Sequence, residues 1–167
     1  MTWHKPFDQD LFEEHKDIEL IVHDLIKISH HSLIKNPVKY HIDLVITHPK
    51  RGVVGFLEVE HWDQWKTGNY YHGSEWSEDY PFPTFHIFDR KEKFFQNNAF
   101  LVGVSKMGKN MILLPLDERV RECKKETRQL RYGQEPETYY VLPRKMQLAQ
   151  GTSNICTYLE RYFNERN

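Results

Sequence analysis

Apolar residues near the start of the chain recur at three-, four- and seven-residue spacings. The set is Leu11, Ile18, Ile21, Val22, Leu25 and Ile28. This period predicts an amphipathic helix from Asp8 to about Ser29, with Asp8 or Asp10 as its N-terminal cap. Glu14 lies four residues before Ile18, so its carboxylate projects from the apolar face toward the core or a cleft.

The next pattern is typical of two β-strands joined by a tight turn. Apolar and β-branched residues fill 40–46, a turn with Pro and Gly occupies 48–52, and a second apolar run covers 53–60. Side chains alternate along a strand, so Glu58 and Glu60 share one face. The short turn lets Asp43 lie beside them, and we therefore expect three carboxylates on one patch.

The remainder of the chain predicts a mixture of strands, helices and one long loop. Residues 61–83 are rich in aromatic side chains without a regular period and are interpreted as a flap. We expect strands at 85–88, 100–105, 110–115 and 139–143, the last one at a sheet edge, and helices at 89–96, 117–132 and 152–163. No linker or repeat divides residues 1–167. The pattern favours a single α/β domain with a central mixed β-sheet flanked by helices.

Composition narrows the function classes only slightly. The chain has 167 residues and a formal net charge of −1, so no overall basic field points to nucleic acid. Cys123 and Cys156 form no CxxC motif, and the ten histidines show no HExxH spacing, which disfavours structural or catalytic zinc. No signal-peptide core or membrane-length apolar run is visible, so a cytoplasmic protein that binds no membrane is expected.

A cluster of Asp43, Glu58 and Glu60 requires compensation of its charge. Two carboxylates about 4 Å apart repel by about 4 kcal/mol at an effective dielectric constant near 20. A cation, a proton or a basic side chain must offset that repulsion. Oxygen ligands suit Mg²⁺ or Mn²⁺. The alternative is that Glu58 and Glu60 form the solvent-facing side of a half-exposed strand.

The order of these features resembles a known enzyme superfamily. A helix carries Glu14, one strand carries Asp43, fourteen residues intervene, and the next strand carries Glu58-Val59-Glu60 before another helix. Over residues 8–105 this resembles the PD-(D/E)XK, or restriction-endonuclease-like, nuclease superfamily. The resemblance implies that Asp43 and Glu58 hold Mg²⁺ or Mn²⁺ and that Glu14 assists as an accessory metal ligand.

The chain departs from the family pattern at two positions. Ile42 replaces the Pro that usually precedes the Asp, and Glu60 replaces the Lys that positions or activates the attacking water. In some members the following helix supplies that basic residue. The helix predicted here contains Arg90, Lys91 and Lys93, and Lys91 is our first choice.

The resemblance implies hydrolysis of phosphodiester bonds in DNA, with RNA as the second candidate substrate. A metal-bound water would be the nucleophile, and Glu60 or Lys91 would orient or deprotonate it. Arg90 and Lys93 are candidate contacts to the substrate, as are Trp62 and Trp65, which would stack on bases. Repair, recombination and restriction are suitable settings.

Other interpretations remain open for the same residues. The basic cluster at 90–93 is also consistent with a solvated helix face, and the tryptophans with packing of the flap. A chain of the same fold that lost catalysis would bind nucleic acid or a protein partner. An unrelated interaction domain would hold Asp43 and Glu58 far apart. Whether two chains pair as a homodimer is not determined by the sequence.

Overall fold

The structure is a computed structural model that describes residues 9–62, 65, 80–105, 108, 110–129, 133 and 135–165. The side chains of residues 9–16 are outside this description. In chain order the elements are α1 (Gln9–Leu25), β1 (Ser32–Lys35), β2 (Leu44–His48), β3 (Gly52–Trp62), β4 (Thr84–Phe88), a 3-10 helix (Asp89–Phe94), β5 (Ala99–Ser105), β6 (Met111–Pro115), α2 (Glu118–Arg121), β7 (Lys124–Arg128), β8 (Glu137–Pro143), a second 3-10 helix (Arg144–Met146), β9 (Ala149–Gln150) and α3 (Thr152–Asn164).

The strands form two sheets. The larger sheet has six strands in the order β1-β2-β3-β5-β6-β9, and the smaller has three in the order β4-β8-β7. In the larger sheet β3 and β5 run parallel, whereas the other neighbours are antiparallel. The predicted α/β class with a mixed sheet is confirmed.

Two apolar clusters cover opposite faces of the larger sheet. Leu57 and Val59 of β3 belong to a cluster with Val22 of α1 and Leu159 of α3, all essentially buried. Leu101 of β5, which pairs with Glu58, belongs to the second cluster, together with residues of the smaller sheet and of the first 3-10 helix. Glu58 therefore projects from the face that carries the smaller sheet.

A β-bulge sets the register of the β2–β3 hairpin. Ile46 pairs with Gly55 whereas Thr47 pairs with Val53, so Val54 is an additional residue on β3. Beyond the bulge Leu44 pairs with Leu57. This register brings Asp43, the residue just before β2, opposite Glu58.

Several predicted elements differ from the structure. The helix predicted at 117–132 is wrong, because α2 covers only Glu118–Arg121 and strand β7 follows. Four of the five β7 residues are exposed, and a solvated edge strand lacks apolar alternation. The strand expected at the edge, β8, lies in the centre of the smaller sheet.

Smaller differences affect the boundaries of the elements around the site. The helix predicted at 89–96 is a 3-10 helix of six residues. The strand predicted at 40–46 begins only at Leu44, and β1, which was not predicted, precedes it. The predicted flap lies largely outside the described residues. Among the helices that the structure describes, none is long and apolar enough to cross a membrane.

Candidate functional site

Asp43 and Glu58 face each other across the β2–β3 hairpin. The backbone N–H of Asp43 donates a hydrogen bond to Glu58 Oε1 at 3.1 Å. The backbone N–H of Val59 donates to Asp43 Oδ2 at 2.8 Å. Each carboxylate thus binds the backbone of the opposite strand. This pairing extends the hydrogen-bond ladder beyond the end of β2 and fixes both side chains.

Lys91 completes this arrangement from the first 3-10 helix. Its Nζ lies 2.5 Å from Glu58 Oε2. The contact is largely shielded from solvent, because the Lys91 side chain is 17% exposed and the Glu58 side chain 4%. The three residues Asp43, Glu58 and Lys91 will be called the acid–lysine cluster. The structure places Lys91, which the family resemblance singled out, beside the Glu58 carboxylate, although the helix that carries it is shorter than expected.

Burial controls the protonation of the cluster. Loss of hydration, with a smaller contribution from the Asp43 charge and its hydrogen bond, raises the pKa of Glu58 to about 8. The Lys91 ammonium opposes this shift without cancelling it. The raised pKa favours a protonated Glu58 at neutral pH, with the negative charge of Asp43 on one side of it and the Lys91 ammonium on the other.

A second polar network holds the 3-10 helix in place. Glu92 accepts a hydrogen bond from the Tyr140 hydroxyl, and Lys125 Nζ lies 2.8 Å from its Oε1. These hydrogen bonds lower the pKa of the Glu92 carboxyl below its usual value. The helix is thereby tied to β7 and β8, which positions Lys91. This network was not predictable from the sequence, because no local pattern links residues 92, 125 and 140.

Glu60 has a different partner from the acid–lysine cluster. It lies on the same face of β3 as Glu58, but its Oε1 accepts the indole N–H of Trp62 at 3.1 Å. Among the described residues, no group of three or more His, Cys, Asp or Glu side chains is arranged to hold a metal ion. The structure thus joins Asp43 to Glu58, with Glu60 further along the strand.

The remaining predicted site residues are placed as follows. Arg90 lies over the Phe88 ring at 4.3 Å and Lys93 over the Phe94 ring at 5.1 Å, both exposed next to Lys91. Trp65 is fully buried and packs edge-on against Tyr80, so its ring offers no accessible face to a base. Glu14 lies within α1, but its side chain is outside the description.

Known proteins provide no guide to this site. Comparison of the chain with protein-family models, with curated proteins and with solved structures found no match in any of the three. The geometry of the acid–lysine cluster is therefore the starting point for functional inference.

A groove of about 400 Å³ is lined by Glu60, which lies two residues along β3 from Glu58 of the acid–lysine cluster. Among the described residues its lining includes Glu60, Trp62, Tyr80, His86, Arg128 and Tyr139. The indole of Trp62 lies flat over Gly103, where an added Cβ would be 2.3 Å from the ring. Gly103 therefore permits the position of Trp62 in the groove wall. We call this feature the aromatic groove.

Proposed function

We propose that the chain is a metal-dependent nuclease that hydrolyses phosphodiester bonds in DNA. The observation that carries this proposal is the acid–lysine cluster, in which Lys91 Nζ lies 2.5 Å from a carboxylate that faces Asp43. The order of elements also supports a restriction-endonuclease-like core, since α1 precedes Asp43, β3 carries Glu58, and a short helix carries Lys91.

The donor set of the cluster fits Mg²⁺ or Mn²⁺. Mg²⁺ is commonly held by one or two carboxylates and takes its other ligands from water and substrate phosphates. Asp43 and Glu58 would hold the ion. The raised pKa of Glu58 supports this assignment, because the pair does not carry two negative charges without an added cation. When bound, the ion polarises the phosphate and makes its bound water more acidic.

Lys91 has two roles in this proposal. Its ammonium fixes the Glu58 carboxylate, and it supplies a positive charge beside the site that stabilises the charge developing on the scissile phosphate. Glu60 lies two residues along the same strand face and is an acceptor for a proton of the attacking water. Arg90 and Lys93, exposed on the same 3-10 helix, provide contacts to the DNA backbone.

One observation favours a second candidate, a non-catalytic domain of the same fold that binds nucleic acid or protein. Asp43 and Glu58 both accept hydrogen bonds from backbone N–H groups. These bonds would give the two acids a role in stabilising the fold even in a chain that has no catalytic activity. Cleavage in the presence of a divalent ion separates the two candidates.

The test is cleavage of labelled single-stranded DNA, double-stranded DNA and RNA with Mg²⁺ or Mn²⁺. Asp43→Asn, Glu58→Gln and Lys91→Met should each lower the rate of DNA cleavage at least about 100-fold. The exposed Glu122→Gln and Lys145→Met variants are matched controls and should cut like the wild type. Thermal unfolding of every variant verifies that it is folded.

Two results would contradict the proposal. A folded wild-type chain that cuts no substrate with either metal would leave the non-catalytic candidate. Cleavage that persists unchanged in Asp43→Asn and Glu58→Gln would assign the activity to a contaminant or to another site.

A further inference from the structure

The aromatic groove has the lining and the volume of a site for an aromatic ring. The His86 and Tyr139 rings stack on the outer face of the smaller sheet, with centroids 4.3 Å apart and planes inclined by 26°. The Trp62 and Tyr80 rings also line the groove, with centroids 5.4 Å apart. A volume of about 400 Å³ lies within the usual range for small-molecule sites.

The charges of the groove favour a base over a phosphate group. Its described lining contains the carboxylates of Glu60 and Glu137 but only one guanidinium, that of Arg128. Arg128 and Glu137 are directly paired across β7 and β8. Carboxylates repel phosphates, whereas they accept hydrogen bonds from the N–H groups on the edge of a nucleobase. The positive charge that suits a phosphate lies instead at Lys91.

The position of the groove relates it to the acid–lysine cluster. Glu58 belongs to the cluster and Glu60 to the groove lining, and both lie on one face of β3. Two residues of a strand advance by about 6.6 Å. A nucleotide whose phosphate lies at the cluster can therefore place a nearby base in the groove. A paired base has its edge occupied and its faces stacked, so only an unpaired base can enter.

We propose that the aromatic groove binds one unpaired nucleobase of a DNA strand whose backbone lies at the acid–lysine cluster. This assignment deepens the proposed nuclease function and rests on it for the position of the phosphate. If the groove binds an unpaired base, the protein should bind single strands or unpaired ends more tightly than uninterrupted duplex. Burial lowers the pKa of His86, so its neutral imidazole can both donate and accept a hydrogen bond at the edge of the base.

The first test is binding of a fluorescein-labelled dC12 strand to the full chain in EDTA, where a metal-dependent enzyme does not cut. Tyr139→Leu removes the aromatic face and should weaken binding about 5- to 100-fold. Tyr139→Phe keeps the ring and is the matched control, with binding close to that of the wild type. The same strand in a duplex should bind more weakly than the free strand. Urea unfolding of both variants verifies their stability.

Other results would overturn the assignment. These are equal binding of single strand and duplex, equal binding by Tyr139→Leu and Tyr139→Phe, and binding of an RNA strand of the same sequence with none of dC12. A groove that accommodates a protein side chain would produce the second result. Tight binding of both DNA and RNA single strands would support recognition of the base.

The outcomes separate this assignment from the nuclease proposal. A wild type that binds dC12 through Tyr139 but cuts no DNA with Mg²⁺ or Mn²⁺ would refute the nuclease function and leave the groove as a base-binding site. If cleavage requires Asp43 and Glu58 but Tyr139→Leu binds and cuts dC12 like the wild type, the groove assignment alone fails.

Discussion

Replacement of Glu58 by Gln should make the folded chain more tolerant of high pH. The wild-type carboxyl has a pKa of about 8 in the folded chain against an ordinary value of 4.5. Between these two values the folded state binds more protons than the unfolded state, so the free energy of unfolding falls as pH rises. Gln resembles the protonated acid at every pH and removes this dependence.

The size of the effect follows from the same values. A rise from 4.5 to about 8 corresponds to on the order of 5 kcal/mol of stability lost by pH 9. The side chain is only 4% exposed, so solvent screening removes little of it. Relative to wild type, Glu58→Gln should therefore gain on the order of 3–5 kcal/mol between pH 4.5 and pH 9.

Urea unfolding at closely spaced pH values measures this gain. The difference between the two proteins is the useful quantity, because groups such as Glu92 and Glu160, whose pKa values are lowered, titrate in both. Glu122→Gln, at an exposed position, should follow the wild type at every pH. A difference that stays constant with pH would refute the buried, protonated Glu58. A wild type that gains on Glu58→Gln as pH rises would show that pairing with Lys91 dominates instead.

Three further changes test other parts of the site. Mg²⁺ at 100 times its dissociation constant should stabilise the wild type by about 2.7 kcal/mol at pH 8, as seen in its melting temperature, and should not stabilise Asp43→Asn. Lys91→Met should cost about 3–5 kcal/mol at pH 8 by chemical denaturation and less at pH 4.5, where Glu58 is protonated in the folded chain. Equal costs at the two pH values would contradict the charge balance in the cluster. Gly103→Ala should lower the free energy of unfolding by about 1–3 kcal/mol, because its Cβ would overlap the Trp62 ring. Trp62→Phe in that background should recover part of the lost stability. An unchanged stability of Gly103→Ala would show that the ring moves freely.

The hairpin and its acids were predictable because the relevant signals are local. Alternation fixed the common face of Glu58 and Glu60, and a tight turn limited where Asp43 could lie. Lys91, which lies beside Glu58, was singled out by a family resemblance and not by any physical pattern. The two-residue spacing did not indicate that Glu60 would engage Trp62 and separate from the pair.

Other parts of the fold could not be predicted from local sequence patterns. The strand β7 carries Lys124, Lys125 and Arg128 on a solvated edge, so its composition resembles that of a polar helix. The smaller sheet forms only through pairing of β4 and β7 with β8, over separations of many residues. The aromatic groove depends on that sheet, so no local pattern in the sequence indicated that Tyr139 and Arg128 would line a groove.

The bulge at Val54 has a consequence for how this protein tolerates changes in length. If Val54 paired with Ile46 and did not bulge out, Asp43 would lie opposite Leu57 and its carboxylate would have no acidic partner. Deletion of Val54 should only remove the bulge, because Ile46 would still pair with Gly55 and Asp43 would still lie opposite Glu58. The bulge is thus a spare residue: β3 can lose one residue beside the turn and keep the acid pair, whereas loss of a second residue would place Val59 opposite Asp43.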